Sequence, residues 1–101
     1  MAPKIIYMTN IDRRYFMMRR ALDELIADGE MPASSQVVKT EDGSVWSASW
    51  EEKLRGSALV MIRFMGNTIR TKFWTACMHF LSREGIPYYM DAAGSAEEEC
   101  I

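Results

Sequence analysis

The sequence predicts an α/β domain built on a parallel sheet, and three observations lead there. Short β-branched or apolar runs alternate with stretches of helical periodicity along the chain. A glycine closes each of three helical stretches, at Gly29, Gly56 and Gly85. The run "ALVMIRFM", residues 58–65, is apolar almost throughout, as suits a central strand covered on both faces.

The first strand is "KIIYMT", Lys4 to Thr9, whose β-branched and aromatic residues lead straight into Asn10, a good helix N-cap. From Asp12 onward Tyr15, Met18, Leu22, Leu25 and Ile26 recur at three- and four-residue intervals, with charged residues between them. That spacing predicts an amphipathic helix ending at Gly29, with Pro32 beyond it. A short strand is expected over Gln36 to Lys39, before the turn-forming Asp42-Gly43. Trp46, Trp50 and Leu54, four residues apart, predict a second helix, with Ser49 and Glu52 as a capping box and Gly56 as its stop.

After the apolar strand, Thr71 is expected to cap a helix containing Phe73, Trp74, Cys77, Phe80 and Leu81. "REGIP" stops it with a basic residue, a glycine and a proline. "IPYYMD", Ile86 to Asp91, reads as the last strand, and "SAEEEC" as the start of a further helix capped by Ser95. Alternation of this kind, with right-handed crossovers, predicts a single three-layer α/β/α domain over residues 1–101, flavodoxin-like, with strand order 2-1-3-4.

Composition narrows the function classes. With 101 residues the chain has room for one core. Its 49% hydrophobic and 26% charged residues are ordinary for a globular domain. A formal charge of -2 with scattered basic residues argues against nucleic acid as a partner. No apolar run approaches the roughly 20 residues that span a bilayer, and "MAPKIIYMTN" lacks a signal-peptide core, so no membrane role and a cytoplasmic location are expected. Cys77 and Cys100 lack the spacing of a disulfide framework or zinc site, and no metal site is expected. There is no GxGxxG and no GxxxxGK[ST]. His79, the only histidine, has no nucleophile or acid at catalytic spacing, so no catalytic residue is assigned.

In open α/β sheets ligands bind outside the carboxyl ends of the strands. That rim is expected to carry Thr9, Asn10 and Asp12 after the first strand, Arg63, Gly66 and Asn67 after the third, and Asp91 after the fourth. Arg63 suits a carboxylate or phosphate, Gly66 a close backbone approach and Asn67 an amide contact. The structural alternative is an ion pair of Arg63 with Asp12 or Asp91. Arg13 and Arg14 stand in the first helical turn, where positive charge opposes the macrodipole; a solvated face or a binding role accounts for them. The nine methionines and the Trp46/Trp50 pair are expected as core and helix-packing material, with a partner interface as the alternative.

Three segments, "KIIYMTNIDRRYFMMRRALDEL", "SALVMIRFMGNT" and "FWTACMHFLSREGIPYYMDAAGSAEEE", together resemble the N-terminal part of the large subunit of ATP-dependent cobaltochelatase, a relative of the porphyrin-binding subunit of magnesium chelatase. There a strand of the form apolar-x-Arg-x-x-Gly precedes a helix and a Gly-Ile-Pro strand, matched here by Arg63, Gly66 and Gly85-Ile86-Pro87. The resemblance implies a part in cobalamin biosynthesis, with chelatase ATPase subunits or the remainder of the large subunit as partners. Tetrapyrrole or corrinoid and cobalt would belong to the full assembly, with no intrinsic cofactor in this domain. It transfers no catalytic residue to this chain. The reading from another class is a small-molecule domain holding an anionic ligand, or a protein-interaction module.

Overall fold

The computed structural model describes residues 3–41, 44–65 and 71–93. Seven elements follow in alternation: β1 (Ile5–Thr9), α1 (Asp12–Ala27), β2 (Gln36–Lys39), α2 (Ala48–Leu54), β3 (Leu59–Met65), α3 (Thr71–Arg83) and β4 (Tyr88–Ala93). The strands form one all-parallel sheet in the order β2-β1-β3-β4. This is the predicted flavodoxin-like α/β arrangement. No helix among the described residues is long and apolar enough to cross a membrane.

Side chains alternate across the strands, and the two faces of the sheet differ. Ile6, Met8, Val38, Val60 and Ile62 project toward α2 and α3, where Leu54, Phe73, Trp74, Cys77, Phe80 and Leu81 complete a buried cluster. Trp46 and Trp50 stack at 6.4 Å, and both meet Phe73 edge-on, at 5.5 and 5.2 Å. They are packing material, as expected. On the other face α1 lies over β1 and β2, and none of its sixteen residues is fully buried.

Here the strand expected to be covered on both faces is not. Met61 of β3 is 38% exposed and Tyr89 of β4 is 72% exposed on the α1 side. An apolar run reports what a strand tolerates, not what lies over it. Helix α1 meets β3 only along its edge, where Met18 and Met61 line one cleft, and Tyr89 of β4 stays largely open.

Three local expectations are also corrected. Ile11, not Asn10, is the N-cap of α1, and it makes no side-chain cap bond. Asn10 is drawn to a tertiary partner instead. Helix α2 starts after Ser47, so Ser49 stands inside the helix and cannot act as the capping-box residue. The last strand starts at Tyr88 rather than Ile86. The Ile86 amide is used to close α3, donating to the Leu81 carbonyl at 2.9 Å, and Pro87 has no N–H to give. Gly85 makes this stop possible with φ of 69°. The turn at Asp42-Gly43 and the helix expected from Ser95 lie outside the described residues.

Phe80 is 1% exposed and touches Trp46, with ring centroids 5.8 Å apart. Replacement by alanine should cost about 3–5 kcal/mol in denaturant unfolding. Phe16→Ala on the open side of α1, where the ring is 66% exposed, should change stability by about 0.5 kcal/mol or less.

Candidate functional site

The parallel register places Lys39, Thr9, Arg63 and Asp91 in one row across the carboxyl end of the sheet. Thr9, Arg63 and Asp91 thus come together as the sequence suggests. Lys39 joins them unannounced, because strand pairing across an α1 crossover leaves no mark in local sequence.

Each of these groups has a partner within the domain. Arg63 Nη1 donates to the Asp91 carboxylate directly across β3 and β4. Of the two carboxylates proposed for Arg63, Asp91 is the partner. Asp12 bonds the Lys39 ammonium instead, with Glu41 3.4 Å away on the other side. The Asp12 hydrogen bond raises the Lys39 pKa; partial burial opposes it, and Glu41 adds to it. Lysine is therefore held protonated beyond its ordinary range.

Thr9 is fully buried, and its Oγ1 accepts from the Ile11 N–H at 3.1 Å, fixing the turn from β1 into α1. Asn10 does more. Its Oδ1 accepts from the Met65 N–H at 2.9 Å and its Nδ2 donates to the Met65 carbonyl at 3.3 Å. The side-chain amide imitates a strand backbone and extends the β1–β3 ladder by one step. Both residues are structural in this arrangement, whatever ligand the rim receives. Gly66 and Asn67 lie outside the described residues.

Beside this row a cleft of about 280 Å³ opens on the α1 side of the sheet, lined by Tyr7, Arg14, Met18, Met61, Arg63, Tyr89 and Asp91. Arg14 and Arg63 are singled out by the sequence, whereas Tyr7, Met18, Met61 and Tyr89 are not proposed from it as site residues. Arg14 and Met18 are four apart on α1, and Tyr7, Met61 and Tyr89 share one sheet face by alternation, so the signal existed but needed the strand order to combine it. A larger concavity, about 660 Å³, is a shallow saddle at the opposite ends of β1 and β2, lined by Lys4, Gln36, Ser49, Glu52 and Lys53. It holds no converging buried polar groups, and the smaller cleft is the better candidate.

Among the described residues no group of three or more His, Cys, Asp or Glu side chains converges to hold a metal. Cys77 and His79 are two residues apart on α3, one buried and the other exposed, so they form no dyad. Burial pushes the Cys77 thiol from 9.0 to about 12. Comparison with protein-family models, curated proteins and solved structures finds no match to this chain.

Two outcomes test this description. Asn10→Ala should lose about 1–2 kcal/mol and most of the hydrogen-exchange protection at the Met65 amide, read by NMR. Cys77 should resist iodoacetamide in the native protein at pH 8 and react on unfolding, as peptide mass mapping would show. The folded thiol keeps its proton to about 12 while the unfolded one loses it near 9.0. This group's contribution to stability therefore falls as pH rises through that window.

Proposed function

We propose that this chain is a binding and scaffolding domain of the cobaltochelatase large-subunit type, linked to metal insertion into a tetrapyrrole in cobalamin biosynthesis. One observation carries the reading. The segment with the resembling motif supplies the successive elements β3, α3 and β4, in which Arg63 and the Gly85-Ile86-Pro87 stop occupy defined structural positions. Arg63 ties the two strands through Asp91, and Gly85-Ile86-Pro87 sets where β4 begins. A motif of this kind preserves a scaffold and leaves reaction chemistry to other parts of an assembly. Chelatase ATPase subunits and the remaining large-subunit polypeptide are the partners proposed; tetrapyrrole and cobalt are cargo of the whole assembly.

A second reading, an anionic small-molecule site, is favoured by one feature: two arginines, Arg14 and Arg63, line the same cleft. The Arg63–Asp91 ion pair weakens it, because a ligand must compete with a carboxylate already in place.

Size-exclusion chromatography with a cobaltochelatase large subunit lacking its N-terminal domain should give a stoichiometric complex with this chain. Separate elution at micromolar concentration would remove the scaffolding reading. On the second reading, a corrinoid bearing free carboxylates should raise the Tm of the wild type but not of a folded Arg63→Ala variant.

A further inference from the structure

We propose that a cavity beneath α1, together with the cleft it adjoins, binds an unbranched alkyl chain of about eight to ten carbons that carries a neutral hydroxyl head. The inference stands on volume and on the chemistry of the lining, and it does not depend on the chelatase reading.

Between α1 and the sheet lies a cavity of about 70 Å³. Ile5 and Val37 form its floor and Leu22 and Leu25 its roof, and only Tyr7 and Gln36 among its lining residues bear polar side chains. The space exceeds the ~30 Å³ share of one liquid water, but a buried water needs about two to four polar partners. The strand backbones here are spent on their ladders, so the cavity favours carbon over water. An apolar cavity of ~150 Å³ accepts benzene, and this one has about half that volume, so it admits the end of an alkyl chain but not a ring. Helix α1 has no fully buried residue, and the unbranched thioethers of Met18, Met31 and Met61 line the space, so the walls adjust to an occupant at low cost.

Tyr7, Met18 and Met61 line this cavity and also the cleft of about 280 Å³, so the two spaces share a wall. In the β1–β3 register Ile5 pairs with Leu59 and Thr9 with Arg63, which puts the cavity end and the Arg63 level about 13 Å apart along the strands. An extended alkyl chain advances about 1.25 Å per bond, so about eight to ten carbons reach from one to the other. There Arg63 offers guanidinium N–H donors beside the Asp91 carboxylate. A hydroxyl both donates and accepts, and it meets the two groups without breaking their pair. A carboxylate head brings a second negative charge to Asp91, and an ammonium head a second positive charge to Arg63. Arg14, the other guanidinium of the cleft, already has an interaction within the domain, so it does not by itself reserve the cleft for an anion.

Titration calorimetry and methionine-methyl NMR of the full chain with n-octanol, n-butanol and sodium octanoate test this. Octanol should bind saturably at one site and shift the Met18 and Met61 methyl signals. It should bind at least about tenfold more tightly than butanol, which cannot span the two levels, and at least about tenfold more tightly than octanoate. Ala21→Leu adds carbons to the cavity wall, and it should weaken octanol binding at least about tenfold while holding or raising the Tm. If leucine disturbs the fold, the more adaptable Ala21→Met supplies the same block. Octanol binding undiminished in the folded variant, or unmoved Met18 and Met61 methyls at the solubility limit of octanol, overturns the proposal. Octanoate binding as tightly as octanol overturns it too, and returns the cleft to the anionic reading.

Discussion

Phe73, Trp74, Phe80 and the two indoles of Trp46 and Trp50 form an aromatic layer between the sheet and its helices α2 and α3, and the domain depends on it. Ile6, Met8, Val60 and Ile62 meet that layer from the two central strands. Charged side chains seal its margin: Arg55 and Arg83 lie over the Phe80 ring at 5.6 and 5.5 Å, and Glu51 accepts from the Trp46 indole at 3.0 Å. Because the burial is one-sided, the stability is too. Helix α1 has no fully buried residue and is held by partial contacts and by its ends, so local opening is expected to reach it before α3.

That asymmetry accounts for the arrangement of the rim. A helix poorly anchored by burial gains from polar ties at its start. Thr9 Oγ1 holds the Ile11 amide, Asn10 fastens the same turn to the end of β3, and Asp12 fastens the first helical turn to Lys39 of β2. The row of groups that resembles a ligand site in sequence thus has a structural task, joining the α1 start to the strands on either side of β1. A ligand or partner arriving here meets a preorganised rim with much of its hydrogen-bonding capacity already committed.

The fold was legible because its signals are local and mutually consistent. Apolar periodicity located the helices, and glycine stops located their ends. The Gly85-Ile86-Pro87 signal even identified the α3 stop, although the first strand residue came two positions later, once the Ile86 amide was spent on that stop. The failures share one cause. Asn10 and Ser49 have good capping chemistry, yet helix boundaries and tertiary partners decided their roles. Arg63 had two acids available in sequence, and only the register of β3 against β4 selected Asp91. Coverage of β3 was beyond reach for the same reason: "ALVMIRFM" specifies an apolar strand but not its neighbours above and below.

Thioethers occupy unequal positions in this architecture. Met8 is wholly enclosed, whereas Met17 on α1 and Met61 on the open face of β3 are exposed. Oxidants reach the latter two first, and a sulfoxide there places a polar, chiral oxygen on surface that would otherwise favour apolar contact. The aromatic layer is shielded from that chemistry by the sheet itself. Oxidation would thus change the exposed surface while the folded domain persists, and methionine sulfoxide reductases would restore it.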